Sequence, residues 1–273
     1  MQRQTQEVNL PCRMGFFAHH AACDPKNPFG DSTVPDSKNM SSQAWQESVT
    51  AEELLGSLNE VERKFAPKQL FVVGHLEIMQ EGARVSIVGS REASDVGLRR
   101  AKKLARLVCE RGGIVVSGLA KGIDTAAHTA AIEVGGKTIA VIGTPQSHAY
   151  PKENSELQAL IQRDFLCVSQ FPEGYPVQPK NFPIRNRTMA LISDATVIVD
   201  AGQTSGSISQ GWEALRLGRG LFIAKALTEN PKLTWPAEMM SYGARVLADE
   251  SIDDFFEFLP SRSRAFAFDE LSV

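Results

Sequence analysis

Several features that define common protein classes are scarce in this 273-residue sequence. Its four cysteines are too few and too scattered for a disulfide scaffold, so we expect reduced thiols and a cytoplasmic protein. No apolar run reaches the roughly 18 residues that a membrane helix needs. The N-terminus also lacks a basic region followed by an apolar one. The sequence therefore predicts neither a membrane partner nor a signal peptide.

Two common nucleotide-binding motifs are also missing. The sequence has no G-x-G-x-x-G, the dinucleotide-binding fingerprint, and no G-x4-G-K-S/T, the P-loop of many ATPases. Both motifs place glycines and a helix N-terminus around phosphate groups. Their absence excludes the standard dinucleotide-binding and P-loop ATPase classes, and we predict no cofactor.

The net charge of −3 conceals an uneven distribution along the chain. Between Arg84 and Lys225 there are 18 Lys and Arg against 12 Asp and Glu, whereas the rest of the chain holds 11 against 20. A basic middle section between acidic ends is compatible with a polyanionic ligand. Because chance can also produce this imbalance, it supports a polyanionic ligand only if the same section also contains a candidate binding site.

The first forty residues differ from the rest of the chain. They are rich in Pro, Asn, Asp and Ser and show no periodicity, which predicts a disordered leader or an over-long start with translation beginning at Met40. Cys12, His19, His20 and Cys23 lie in this segment without the C-x2-C or H-x3–5-H spacing of a zinc site. We therefore predict no metal.

Regular patterning begins at Thr50, where a capping box with Glu53 predicts the start of a helix. The apolar face of this helix would contain Leu54, Leu55, Leu58 and Val61. Further along, short apolar strands alternate with amphipathic helices. The strands are predicted at 69–74, 84–89, 113–118, 137–143, 165–171, 194–201 and 220–224, and the later helices at 97–113, 123–136, 153–163, 185–193 and 207–219.

Such alternation is typical of a mostly parallel sheet with helices on both faces. We therefore predict the α/β class, with an extended Rossmann-like, doubly wound sheet. The predicted organisation is a leader at 1–40, a short helical N-terminal segment at 41–83, the Rossmann-like domain at 84–227, and a helical C-terminal cap with an acidic tail at 228–273.

Ligands of such sheets bind beyond the carboxyl ends of the strands. Three predicted strands run there into small turns, at 89–91, 117–124 and 202–207. Glycines let the backbone approach a ligand, and helix N-termini favour anions. One such turn is more often a simple helix cap, but three turns with cations nearby favour a phosphate site. The cations are Arg91, Lys121, Arg185 and Arg187.

Several motifs in this region are similar to those of a known family. They are VGSR (88–91), SGLAKGIDTAAH (117–128), IAVIGT with YPKEN (139–154), FPIRNR (182–187), and SGS with LGR (205–207 and 217–219). On these motifs the chain resembles the DprA/Smf (DNA-processing protein A) family, within a superfamily that includes the LOG nucleotide hydrolases. The resemblance extends over about residues 84–225.

The resemblance implies a pocket for single-stranded DNA, a homodimer and, in members that act in transformation, a RecA-type recombinase as partner. It also implies a set of phosphate-binding residues: Gly89, Ser90, Arg91, Ser117, Gly118, Lys121, Gly122, Arg185, Asn186, Arg187, Ser205, Gly206 and Ser207. The sequence departs from the family in four ways. Lys121 replaces the commoner Arg and loses its bidentate fork, and Lys225-Ala226 replaces Pro-Gly. The segment before the core is shorter than the family's fuller helical N-terminal domain, and no winged-helix segment is expected after the core.

Other side chains have both a structural and a functional interpretation. We predict that Asp124 is an N-cap or first-turn acid of a helix, and that His128, four residues later and able to share a hydrogen bond with it, is structural. Asp200, at a strand end, is a candidate ligand for a ribose hydroxyl. Glu213 is a candidate catalytic carboxylate, because the hydrolase branch has a Glu in the corresponding helix. The tryptophans are expected to pack in the core rather than to stack on bases, and they are Trp45, Trp212 and Trp235.

Three hypotheses for function remain open. The leading one is a non-catalytic single-stranded-DNA-binding protein of DNA processing or recombination, because no Ser–His–Asp, Cys–His or paired-carboxylate constellation converges on the predicted pocket. The second is LOG-like N-glycosidic cleavage of a nucleotide by Glu213, with Arg91 or Arg185 holding the phosphate. The third is a nucleotide sensor or antitoxin-like component of a phage-defence module with a toxin partner.

Overall fold

This computed structural model describes residues 47–261, so the predicted leader, Trp45 and residues 262–273 lie outside the described part of the chain. The described strands are β1 (Glu47–Val49), β2 (Leu70–Gly74), β3 (Arg84–Gly89), β4 (Ile114–Ser117), β5 (Lys137–Ile142), β6 (Leu166–Ser169), β7 (Ala195–Asp200), β8 (Gly220–Ala224) and β9 (Arg245–Leu247). The α-helices are α1 (Ala51–Leu55), α2 (Glu60–Phe65), α3 (Asp95–Glu110), α4 (Ile123–Glu133), α5 (Ser155–Asp164), α6 (Asn181–Ile192), α7 (Ser207–Arg216), α8 (Lys225–Thr228), α9 (Trp235–Ser241) and α10 (Ile252–Phe258). Within 47–261, every helix is too short or too polar to cross a membrane.

The strands form one sheet in the order β1-β2-β6-β5-β4-β3-β7-β8-β9. Neighbouring strands from β6 to β9 run parallel, whereas β2 is antiparallel to β6 and β1 is antiparallel to β2. The chain builds outward from β3 to β6 and then returns to place β7 on the other side of β3. The order therefore reverses between β3 and β7, which is where doubly wound sheets bind ligands. The predicted fold class is confirmed.

Helices cover both faces of this sheet, and the residues of β7 show how. Val197 and Val199 pack in a cluster with Ala101 of α3, whereas Ile198 packs in a second cluster with Met189 of α6. Successive residues of a strand point to opposite faces. A strand buried on both faces therefore reads as a continuous apolar run, which is why periodicity located the central strands correctly.

The N-terminal segment contains two short helices where the sequence predicted one. The capping box of Thr50 and Glu53 does open α1, so that part of the prediction is confirmed. The continuation through Val61 is wrong, because Gly56 ends α1 with a φ of 82° and Asn59 opens α2 with a second capping box. The helical register restarts there, and Val61 is left 45% exposed.

The C-terminal segment adds a strand as well as helices, which the sequence analysis missed. Strand β9 pairs parallel with β8, with Val246 opposite Ile223. Helix α10 packs Phe255 against Phe222 of β8, and their ring centroids lie 4.8 Å apart. A three-residue strand is too short for hydrophobic periodicity to identify.

Candidate functional site

A cavity of about 680 Å³ opens at the carboxyl ends of β3 and β7, where the strand order reverses. Its volume lies in the range of small-molecule sites, roughly 300–1,000 Å³. Its walls are the turn after β3, the turn before α7, one face of α6 and part of the loop after β5. Of the predicted phosphate-binding residues, the cavity brings together Gly89, Ser90, Arg91, Arg185, Asn186, Ser205, Gly206 and Ser207.

The turn after β3 is closely fitted to its neighbours. At Gly89 an added Cβ would lie 2.5 Å from Ile123 Cγ1 and 2.6 Å from the Asp200 carbonyl oxygen, so a side chain does not fit. The Ser90 N–H donates to the same Asp200 oxygen at 2.7 Å. These contacts hold the turn in place and present the exposed Arg91 at the rim of the cavity.

Arg185 lies at the floor of the cavity and is only 4% exposed. Its Nη1 donates to the carbonyl oxygens of Gly118 and Val141, the second at 2.7 Å, and its Nε donates to Asn186 Oδ1 at 3.1 Å. Gly118 has no room for a Cβ because the guanidinium fills that space. Burial lowers the pKa of Arg185 and the nearby Asp124 carboxylate raises it, but an arginine stays protonated in a protein.

Asp124 connects this floor to the start of α4. Its Oδ2 accepts hydrogen bonds from the backbone N–H groups of Gly118, at 3.1 Å, and Ala120, at 3.3 Å. Burial raises the pKa of Asp124, while the charge of Arg185 and the two backbone N–H groups lower it. The structural interpretation of Asp124 is therefore confirmed.

His128 is structural too, but its partner is not Asp124. Its Nδ1 lies 2.7 Å from Thr138 Oγ1 of the neighbouring strand. Burial lowers the pKa of His128 to about 3, so the ring is neutral at ordinary pH.

The start of α7 forms the wall opposite the floor. The N-cap residue is Gly206, and the N–H group of Ser207 donates to Ser205 Oγ at 3.4 Å. The hydroxyl oxygens of Ser205 and Ser207 lie 2.8 Å apart at this end. Asn186 Nδ2 donates to Ser209 Oγ at 2.8 Å and ties the turn to α6. A helix N-terminus with adjacent hydroxyls is suited to an anion.

One face of α6 lines the cavity, and it follows helical periodicity. Phe182, Arg185, Asn186 and Met189 are the i, i+3, i+4 and i+7 positions, and all four are in the lining. Arg187 lies two residues from Arg185, about 200° around the helix, and it is not in the lining. The prediction that four cations meet in one pocket is therefore wrong in its geometry.

Arg187 instead belongs to a cluster that holds the N-terminal segment. Its guanidinium lies 3.3 Å from Glu213 Oε2 and 5.3 Å from the ring centroid of Phe65 in α2. Arg216 contacts the same carboxylate at 3.5 Å and the same ring at 5.3 Å. Glu213 is thus 9% exposed, paired with two arginines and absent from the cavity lining.

The turn after β4 contributes Ala120 to the lining, and its other predicted site residues have structural contacts. Ser117 Oγ donates to the Ile87 carbonyl oxygen at 2.7 Å. Gly122, with a φ of 77°, lies so close to the turn after β3 that an added Cβ would be 2.4 Å from the Ser90 oxygen. Lys121 is exposed and pairs with Glu153 at 2.6 Å. Ser117, Gly118, Lys121 and Gly122 are therefore close to the cavity but outside its lining.

The sequence analysis missed the aromatic residues of the cavity. The rings of Tyr150 and Phe182 have centroids 5.1 Å apart, and the Arg91 guanidinium lies 5.3 Å from the Phe182 centroid. Gly143 makes room for the Phe182 ring, which a Cβ there would meet at 2.9 Å. Helical spacing from Arg185 pointed to Phe182; no comparable signal marked Tyr150.

Asp200 and the two described tryptophans have structural contacts. Asp200 Oδ2 accepts from the Ser94 N–H at 2.9 Å and from the Ser94 hydroxyl at 2.8 Å, at the start of α3. The contacts therefore favour a structural role for Asp200 over a ribose ligand. Trp235 is 4% exposed in the core, and Trp212 is partly buried against it, as predicted.

The fold and the cavity together define a class of protein. It is a Rossmann-like α/β protein in which glycine turns, arginines and a helix N-terminus meet at the switch point of the sheet. Residues 50–260 match the family model described as DNA recombination-mediator protein A. The chain belongs to this family, known as DprA or Smf.

Individual relatives agree with this assignment. The DNA processing protein DprA of Bacillus subtilis is 32% identical over 197 residues, which cover 72% of this chain and 66% of the relative. The DprA of Streptococcus pneumoniae is 41% identical over 157 residues, which cover 58% of this chain and 55% of the relative. This chain thus spans about half to two thirds of the length of these curated relatives.

Two solved structures share the fold. The X-ray structure of the S. pneumoniae protein superimposes with a TM-score of 0.66 at 32% identity and covers 77% of this chain and 74% of that one. The protein from Helicobacter pylori, solved for its unique single-stranded DNA binding mode, has a TM-score of 0.66. It is 22% identical and covers 80% of this chain and 99% of its own.

Proposed function

We propose that the cavity between β3 and β7 binds the phosphates of single-stranded DNA, and that the protein acts in DNA processing or recombination without catalysis at this site. The observation that carries the proposal is the convergence of three separate segments. The turn after β3 contributes Arg91, α6 contributes Arg185, and the turn before α7 contributes Ser205, Ser207 and a helix N-terminus. Cations, hydroxyls and helix N-termini are the groups that proteins use to contact phosphate oxygens.

The aromatic rim favours a single strand over a duplex. Tyr150 is 45% exposed beside Phe182 at the mouth of the cavity. A base can stack on such a ring only when it is not stacked inside a duplex. Since phosphate contacts carry no base information, we expect weak sequence preference.

The carboxylates near the cavity support binding rather than catalysis. Asp124 lies at the floor, but two backbone N–H groups already occupy its Oδ2. Glu213 lies between two arginines outside the lining. Both carboxylates thus have structural partners, and Glu213 lies outside hydrogen-bonding reach of a ligand in the cavity, which supports binding rather than general-base catalysis.

The family supports the broader role. The names of the relatives describe DNA processing, and one solved relative is described by its binding of single-stranded DNA. We base a RecA-type recombinase as partner, a homodimer and a role in transformation on the family resemblance alone, and a cytoplasmic location on the few, scattered cysteines.

Titration of fluorescent oligo-dT at several salt concentrations tests the proposal. We expect Arg91→Ala to weaken binding and to reduce the salt slope of log K by about 0.7, the value for one phosphate contact on a single strand. Arg163→Ala is the matched control, because Arg163 is an exposed arginine of α5 that pairs with Asp164 outside the cavity. The site is wrong if Arg91→Ala binds like the wild type at every salt concentration. Tighter binding of mononucleotides than of oligo-dT would favour a nucleotide sensor instead.

A further inference from the structure

A second groove, of about 540 Å³, adjoins the main cavity. Tyr150 is in the lining of both, so this residue lies at the boundary between them. The remaining residues that line the groove are Lys121, Ser147, His148, Ala149, Pro151, Lys152 and Glu153. The two spaces are therefore neighbours that meet at Tyr150.

Buried amide side chains hold the loop that carries Tyr150. Gln146 Nε2 donates to the carbonyl oxygens of Phe71, at 2.8 Å, and Cys167, at 3.0 Å. At the other end of the loop, Asn154 Nδ2 donates to the Leu119 oxygen at 2.9 Å. Because one end of the loop is anchored to β2 and β6 and the other to the turn after β4, Tyr150 is positioned before any ligand arrives, which lowers the entropic cost of binding.

The groove has exposed cations for a second phosphate. Lys121 and Lys152 are both exposed in its lining. Lys121 pairs with Glu153 at 2.6 Å, but both side chains are more than half exposed, at 56% and 65%. Exposed ion pairs contribute little stability, so a phosphate can displace the carboxylate at small cost.

We propose that this groove is a second nucleotide subsite, occupied by the next nucleotide of a strand whose first phosphate lies in the main cavity. This inference rests on the proposed function and adds the path of the strand. The strand crosses Tyr150, whose ring stacks on a base, and its next phosphate contacts Lys121 and Lys152. The lysine that sequence reasoning assigned to the first pocket thus serves the second one.

Binding of ligands of different length separates the two subsites. For the full chain carrying Lys121→Ala and Lys152→Ala together, we expect unchanged affinity for thymidine monophosphate. For oligo-dT we expect weaker binding and a salt slope of log K reduced by about 0.7, because the two lysines contact one phosphate. Lys103→Ala is the matched control, because Lys103 is an exposed lysine paired with Asp249 at 2.8 Å and lies outside both spaces.

Single substitutions at Glu153 and Tyr150 give readouts that a purely structural role does not. Glu153→Gln releases Lys121 and should strengthen oligo-dT binding. Tyr150→Ala should weaken oligo-dT binding about tenfold through lost stacking, whereas Tyr150→Phe should preserve it. Equal losses for thymidine monophosphate and oligo-dT in the double lysine variant, or no loss for either, would overturn the subsite. Failure of the wild type to bind oligo-dT would instead overturn the proposed function.

Discussion

Arg185 and Arg187 of the FPIRNR segment lie two residues apart on α6 but belong to different regions of the molecule. Arg185 is buried at the floor of the cavity, where it donates to carbonyl oxygens of β5 and of the turn after β4. Arg187 lies outside the cavity, half-exposed, between Glu213 and the Phe65 ring of the N-terminal segment. A motif therefore identifies which arginines are present, but helical geometry decides which of them faces the ligand.

The same comparison distinguishes two kinds of charged environment. At the cavity floor, Asp124 and Arg185 are both nearly fully buried and satisfied by backbone groups. At the outer cluster, formed by Arg187, Arg216, Glu213 and the Phe65 ring, the two arginines keep 38% and 45% of their side-chain surface exposed to solvent. Removing a charge should therefore cost much more stability at the floor than at the outer cluster.

The largest effect is expected for Arg185→Ala. Removing one member of a buried charged pair costs about 3–5 kcal/mol, because the remaining groups lose their partner without regaining water. Here the Gly118 and Val141 oxygens would lose their hydrogen-bond donor, and the buried Asp124 carboxylate would lose the nearby positive charge. We expect a large loss in urea unfolding and loss of oligo-dT binding, with Arg185→Lys intermediate. A melting temperature within two degrees of the wild type would contradict the assignment of Arg185 to a buried floor.

A pH-dependent change in the free energy of unfolding is expected from His128, which is buried in α4. Its pKa in the folded state, about 3, is lower than the unfolded value near 6.5. Between these values only the unfolded state takes up the proton, so stability falls as the pH falls through this window. From pH 7 to pH 5 the loss should be about 2 kcal/mol.

The pH prediction is checked by urea unfolding of the wild type and of His128→Asn, which keeps a polar group facing Thr138. We expect the stability of the variant to depend less on pH by about 2 kcal/mol over this range. Because Asp124 is present in both proteins, its own titration cancels in the comparison. Parallel pH curves would show that His128 is protonated alike in both states.

A smaller effect is expected for Arg187→Ala. Loss of a partly exposed ion pair and one cation–π contact should cost about 1 kcal/mol. Because Arg187 is outside the cavity lining, oligo-dT affinity should stay within twofold of the wild type. Urea unfolding of the wild type and the variant measures the difference in stability, and the oligo-dT titration measures the difference in affinity on the same preparations. A flattened salt dependence in this variant would place Arg187 on the DNA path and remove the contrast with Arg185.

The smallest effect is expected for base release from nucleoside monophosphates. Glu213 is held by Arg187 and Arg216 outside the cavity, so we expect free base at background level for the wild type and for Glu213→Gln alike. Chromatographic detection of free base measures this. Release by the wild type that disappears in Glu213→Gln would favour the hydrolase hypothesis over DNA binding.

Sequence patterns located most of the fold and about half of the site. The central strands were found because burial on both faces makes them continuously apolar, as in β7. The break at Gly56 was missed because the apolar spacing of Leu54 and Leu58 continues across it, although the helix does not. Strands β1 and β9, of three residues each, are too short to carry a period.

For the site, local sequence predicted which turns are glycine-rich and which helix N-termini face the carboxyl edge of the sheet. It did not predict that Lys121 and Tyr150 share a second groove, because they lie in separate loops that only the order of β4 and β5 brings together. The Phe182 ring could be placed from helical spacing with Arg185, whereas Tyr150 belongs to a loop without periodicity.

The sequence by itself determined the alternation of strands and helices, the glycine turns and the family, since these depend on local hydrophobicity, turn residues and motifs. Tertiary structure alone decided which of the cations meet. Packing of α6 against the sheet turned Arg185 toward the cavity and Arg187 toward α2. The return of the chain to β7 placed the turn after β3 beside the turn before α7. Contacts between residues far apart in the chain depend on how whole elements pack, and no local pattern contains that information.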